Sequence, residues 1–182
     1  GIDLALPALL EGGDPLDACI QTCETAEQDE LVDSVGYGGL PDASGTLSLD
    51  ACVMRSPSDC GSVCCVTQHL EVTRLARYVM EKTPHVMLAG TPADHFASQM
   101  GLIQSDLLSP AAREAWFRWC QTGVGGHGSP TALRPTDPGG GGGGALFQGQ
   151  LKGSDSAGST DDERRWPSHD TIGILARGLD GS

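Results

Sequence analysis

The hexapeptide Ser168-His169-Asp170-Thr171-Ile172-Gly173 carries the residues of this chain whose types and order best suit chemistry. A hydroxyl is a poor nucleophile at neutral pH unless a base takes its proton. Thr171 can be given a base of its own. If its oxygen attacks the carbonyl carbon of Asp170, the peptide bond rearranges to an ester. Hydrolysis of that ester frees a threonine whose α-amine, like chain-terminal amines in general, titrates at about 7.7–8, near working pH, and can activate the adjacent hydroxyl. Asp170 supplies a carboxylate beside the scissile bond, and His169 is placed to orient or donate. The expected autocleavage residues are therefore His169, Asp170 and Thr171, with Thr171 as the catalytic nucleophile. The plainer reading makes the same tripeptide a polar lead-in to a strand, with Thr171 present for its β propensity.

Two other groupings invite chemistry less well. The seven cysteines are an odd number and declare no disulfide framework. Cys60, Cys64, Cys65 and His69 could be drawn as a zinc set, since Cys65 and His69 would share a face if both were helical. Gly61-Ser-Val-Cys-Cys-Val66 reads better as a buried strand in which cysteine serves as a small hydrophobe, so no metal is expected. The run of six glycines from Gly139 to Gly144 lacks the strand, lysine and helix that would make it a phosphate cradle.

The elements that must position Thr171 follow from periodicity. Leu4 to Leu10 is an apolar helical fragment ending at Gly12-Gly13. Asp14, with Pro15 next and Asp17 three residues on, opens a second helix whose Leu16, Cys19, Ile20 and Cys23 form one apolar stripe. Residues 36–54 are expected to form a hairpin: a glycine-rich arm, a turn at Pro41 to Gly45, and a strand in which Leu47, Leu49, Ala51 and Val53 alternate with polar neighbours. A strand to Val66 and a helix bearing Val72, Leu75, Ala76, Val79 and Met80 come next, ended by Pro84. His85 to Ala89 is expected to be a short buried strand. Thr91-Pro92-Ala93-Asp94 has the form of a helix start with a hydroxyl cap, and Ser109-Pro110 repeats the device ahead of Trp116, Phe117 and Trp119. A last buried strand is expected from Thr171 through Ile172, Ile174 and Leu175.

Three regions result. Residues 1–121 are the folded part, 122–167 are a Gly/Pro/Ser/Asp-rich leader that cannot bury enough surface to order itself, and 168–182 hold the cleavage motif and the strand after it. The formal net charge of -13 argues against nucleic acid and anionic membranes as partners and leaves a small-molecule or peptide ligand. No apolar run approaches the roughly 20 residues of a membrane span, and Ile2 to Leu10 lacks the basic flank of a signal peptide.

Several of these segments together resemble one family. Asp33-Ser-Val-Gly-Tyr-Gly-Gly-Leu-Pro-Asp42, Gly45, Leu49-Asp-Ala51, Gly61-Ser-Val63, Val79-Met-Glu-Lys-Thr83, His85, Leu88, Phe96-Ala97, Met100-Gly101 and His169-Asp-Thr-Ile-Gly173 occur in order. They are similar to the glycosylasparaginases, also called N4-(β-N-acetylglucosaminyl)-L-asparaginases or aspartylglucosaminidases. The likeness covers roughly residues 4–120 and 168–178. It implies an α+β fold, the four-layer αββα sandwich of N-terminal nucleophile hydrolases, made as a precursor that cuts itself before Thr171 and pairs as αβ units into (αβ)2. It implies Thr171 as nucleophile, His169 and Asp170 flanking the cut, no cofactor, and hydrolysis of the amide between N-acetylglucosamine and asparagine. Periplasmic, secreted or lysosomal compartments go with the family. Ile172, where isoaspartyl peptidases and plant-type asparaginases resemble Asp-Thr-Val-Gly, favours the glycosylasparaginases over those alternatives.

Departures from the family set further expectations. Eleven residues, 172 to 182, follow Thr171, so most of the family's β chain, and its first strand, are expected to be absent. On that ground the sandwich is incomplete and the chain as given is expected to be inactive and unstable as a monomer. A non-catalytic remnant is the remaining alternative.

Overall fold

The structure, a computed structural model, describes residues 1–122 and 172–178. In chain order it contains α1 (Ile2–Leu10), α2 (Pro15–Glu27), a single 3-10 turn (Gly36–Gly38), β1 (Leu49–Ser56), β2 (Asp59–Val66), α3 (Val72–Lys82), β3 (Met87–Ala89), α4 (Thr91–Gln99) and α5 (Pro110–Thr122). The three strands make one sheet in the order β1-β2-β3, with β1 antiparallel to β2 and β3 parallel to it. The described part is thus a mixed α/β unit.

The core forms where apolar periodicities meet. Val72, Leu75, Ala76 and Val79 on α3 are buried together with Leu49 and Val53 of β1, Val63 and Val66 of β2, and Leu16 and Ile20 of α2. Gly61 makes the close packing of α3 on β2 possible: a Cβ there would stand 2.4 Å from the Ala76 carbonyl oxygen and 2.5 Å from the Met80 nitrogen. The α2 start follows its sequence signal, with Asp14 Oδ1 accepting the Leu16 N–H at 2.9 Å and Pro15 in the first turn. Ser109 caps α5 in the same way, its Oγ accepting the Ala112 N–H at 3.1 Å.

Four expectations are corrected. The hairpin placed over residues 36–54 is instead β1 with β2, turning at Pro57-Ser58. The glycine-rich arm is not a strand because its glycines serve close backbone approach: Gly36, at φ +61, would press a Cβ to within 2.1 Å of the Glu27 carbonyl oxygen at the end of α2, and Gly38 to within 2.3 Å of the Val32 carbonyl oxygen. The segment 85–89 reduces to β3, an edge strand whose flank is open, with Val86 61% and Met87 56% exposed. Thr91 does not cap α4; Gly90 does, at φ 59, its carbonyl accepting from the Ala93 and Asp94 N–H groups. Residues 172–178 are not a strand. They join neither edge of the sheet and lie by α2, where the Cys19 thiol donates to the Ile174 carbonyl at 3.9 Å, and Leu175 is fully exposed.

Candidate active site

A cleft of about 490 Å³ opens over one face of the sheet. Its walls come from Cys23 and Glu27 on α2, from Val35 and Gly36, from Asp50 and Cys52 on β1, from Ser62 and Cys64 on β2, and from Thr73 on α3. Ile172, the residue after Thr171, completes the lining. The register explains why these side chains share a wall. Asp50 and Cys52 are two apart on β1 and point to one face, and Cys52 stands opposite Ser62 of β2.

Glu27 is the dominant titratable group of this cleft. It is 4% exposed. Its Oε1 accepts the Thr73 N–H at 3.0 Å and a short hydrogen bond from the Thr73 hydroxyl, while Oε2 is buried with no partner in the described structure. Burial pushes its carboxyl up to about 7, helped by the negative Glu24 and Glu71 and opposed by the bonds from Thr73. Burial likewise pushes the neighbouring Cys23 thiol up to about 11, with Glu27 adding to it. A carboxyl that exchanges its proton near neutrality, with one oxygen unclaimed, can serve as acid or acceptor toward a group entering the cleft.

Behind the far end of β2 lies a second buried polar cluster. Asp94 accepts from the Thr67 and Gln68 N–H groups, from the Thr67 hydroxyl and from His69 Nδ1, the last at 3.1 Å. Ser98 Oγ meets His69 Nε2 at 3.2 Å. His69 is wholly buried and both of its ring nitrogens are engaged, so it is not free to join Cys60, Cys64 and Cys65 as a metal ligand. The expectation that Cys64 and Cys65 act as buried hydrophobes is also corrected: Cys64 is half-buried and Cys65 exposed.

His169, Asp170 and Thr171 lie outside the described residues. The structure brings Ile172, next to them in sequence, to the cleft. Glu27 was not singled out by the sequence, although a signal exists. It continues the stripe of Leu16, Ile20 and Cys23 at helical spacing, which puts a carboxylate on the face of α2 that must be buried.

A family model described as Asparaginase matches residues 2–135. The N(4)-(beta-N-acetylglucosaminyl)-L-asparaginase of Elizabethkingia miricola is 42% identical over 118 residues, which is 65% of this chain and 35% of that protein. The mouse protein of the same name is 36% identical over 112 residues, 61% of this chain and 32% of its own length. The chain therefore spans about a third of the length of these relatives. With about three-quarters of its length matched by the family and the motifs from Asp33 to Gly101 falling inside that match, the chain belongs to the asparaginase family, where it is similar to the glycosylasparaginases.

Proposed function

We propose that this chain supplies the cleft wall and the nucleophile of an amidohydrolase of the glycosylasparaginase type, built on the αββα sandwich of the N-terminal nucleophile hydrolases. The observation that carries this reading is Ile172 in the lining of the cleft that holds Glu27. Thr171 precedes Ile172 in the chain, so a cut before Thr171 leaves a free α-amine and hydroxyl one residue from that wall.

Self-cleavage begins when Thr171 Oγ attacks the Asp170 carbonyl: the C–N bond breaks as the C–O bond forms, and the hydroxyl proton passes to the nitrogen. Water then hydrolyses the ester and frees Thr171. In turnover the α-amine takes the hydroxyl proton, Oγ attacks the side-chain amide of the glycosylated asparagine, and the aminoglycan leaves with that proton. Water releases aspartate from the resulting ester. Asp170 and His169 act only on the first cut. The αβ units pair into (αβ)2, and the substrate is a small glycoasparagine.

The test is expression of the chain with any coding sequence that adjoins it, followed by intact mass and by assays on a glycosylated asparagine and on β-aspartyl dipeptides. A cut between Asp170 and Thr171, aspartate release from the glycoasparagine, and loss of both in Thr171→Ala are expected. Faster turnover of β-aspartyl dipeptides would move the assignment to the isoaspartyl peptidases, and an uncut, inert protein would sink the hydrolase reading altogether.

A further inference from the structure

The strand β2 carries two adjacent cysteines, and adjacent residues of a regular strand point to opposite faces of their sheet. Cys64 and Cys65 break that rule. Between the pairs Leu49 with Val66 and Ala51 with Val63, β1 contributes one residue, Asp50, and β2 contributes two, Cys64 and Cys65. Two residues opposite one is a β-bulge, a device that re-aims side chains. Cys65 absorbs the extra length at φ 55, the one non-glycine positive φ among the described residues. A left-handed backbone is unfavourable for an L-residue, and such strain gathers where a site needs it. Asp50 holds the bulge from across the ladder, its Oδ1 accepting the Cys65 N–H at 2.7 Å.

The consequence is a three-donor cluster. The sulfurs of Cys64 and Cys65 and a carboxylate oxygen of Asp50 all lie within 4.8 Å of one another. Asp50 and Cys65 are exposed and Cys64 is half-buried, so ions reach the cluster from solvent. Two thiolates with one carboxylate select against Mg²⁺ and Ca²⁺, which take oxygen ligands, and suit a d¹⁰ thiophilic ion that accepts four-coordinate geometry.

We propose that Asp50, Cys64 and Cys65 form a site for a thiophilic divalent cation of the Zn²⁺ and Cd²⁺ class, with the fourth position left to water. Binding breaks two S–H bonds, forms two metal–sulfur bonds and one metal–oxygen bond, and releases two protons to solvent. Asp50 and Cys64 also line the cleft that Ile172 reaches, but none of the three donors is given a step in the threonine chemistry, so metal binding is tested on its own readouts.

The test is titration of the reduced, metal-free protein with Cd²⁺, followed by thiolate-to-metal charge-transfer absorbance, proton release and X-ray absorption. One tight site, two protons per ion and a neighbour shell of two sulfurs completed by oxygen are expected. Cys65→Gly keeps a residue at ease with φ 55 and so keeps the bulge. It is expected to weaken the site about a hundredfold or more, since losing even an outer hydrogen-bonding partner of a metal ligand costs roughly 10–100-fold. Cys52→Ser, nearby on β1 but outside the bulge, leaves the affinity unchanged. Unchanged tight binding in Cys65→Gly, or a shell of four sulfurs in the parent, overturns the proposal.

Discussion

Single buried carboxyls decide much of what this chain does with pH. Glu27, pushed up to about 7 mainly by burial, keeps a proton in the folded state that the unfolded chain loses near the ordinary glutamate value of 4.5. Between those values the native state binds more protons, so the stability tied to neutral Glu27 is full at acid pH and is lost as pH rises through about 7. Above that, the buried carboxylate costs on the order of 3 kcal/mol. Glu27→Gln is expected to match the parent near pH 5 and to exceed it near pH 8 in urea midpoint; a gap that does not grow with pH would refute the assignment. Asp94 has the opposite sign. Burial works to raise it, yet the bonds from His69, Thr67 and Gln68 outweigh burial and hold the carboxyl below its usual value. Its contribution is present above the unfolded value and fades as pH falls through the lower folded one. Asp94→Ala strips a buried histidine and two N–H groups of their acceptor and is expected to cost about 3–5 kcal/mol at neutral pH, read by urea unfolding. Glu27 was legible only as a carboxylate on the buried stripe of α2, and the role of Asp94 not at all. Asp94 read as an ordinary first-turn acid of a helix, which it is, but only the fold turns it toward Thr67, Gln68 and His69, 25 to 27 residues earlier.

Among the elements, the helices were the legible part because their apolar stripes show in the sequence, and two of them carry their own start. Asp14-Pro15 and Ser109-Pro110 capped α2 and α5 as their chemistry dictates, and the stripe Val72, Leu75, Ala76, Val79 is the face α3 buries. The strands were less legible. Alternation located β1, but pairing depends on which partner the turn offers, and Gly36 and Gly38 pack closely against the end of α2 and the backbone just after it rather than extend a sheet. The bulge at Cys64-Cys65 leaves no trace in composition, since it depends on register against β1. Gly61 shows how narrowly the elements fit. A methyl group there meets the backbone of α3, not the tip of a flexible side chain, so α3 must move away from β2. Gly61→Ala is expected to cost about 1–3 kcal/mol, as overpacking of a tight interior does, and to lower the thermal midpoint accordingly. Retention of the parent midpoint would mean that α3 is not seated on β2 at this point.

For the molecule as a whole, behaviour in solution turns on what covers the surfaces that the described residues leave bare. The sheet has β1 and β3 as its two sides, and a sheet side presents unpaired backbone groups to any other strand. On the other side of α2, α1 packs against that helix, fully buries Ala5 alone, and leaves Leu4 62% and Leu10 61% exposed. The sandwich reading supplies a cover, a second sheet and its helices, and the stretch from 123 to 171, which takes in most of the leader and the nucleophile, lies outside the described residues. Two forces then compete in solution. A formal net charge of -13 repels one copy from another, whereas apolar burial favours association by about 25 cal/mol for each Å² removed from water. Repulsion between exposed charges is screened beyond about 10 Å at 0.1 M salt, and apolar burial is not. The 182-residue chain on its own is therefore expected to associate, and to do so more as salt rises, which sedimentation velocity over a range of concentrations measures directly. Replacing Leu4 and Leu10 by glutamate is expected to shift the distribution back toward monomer at every salt concentration. A parent that sediments as one monomeric species throughout would mean that the bare face of α1 and the sheet edges are tolerated by water, and that this part of the fold needs no cover.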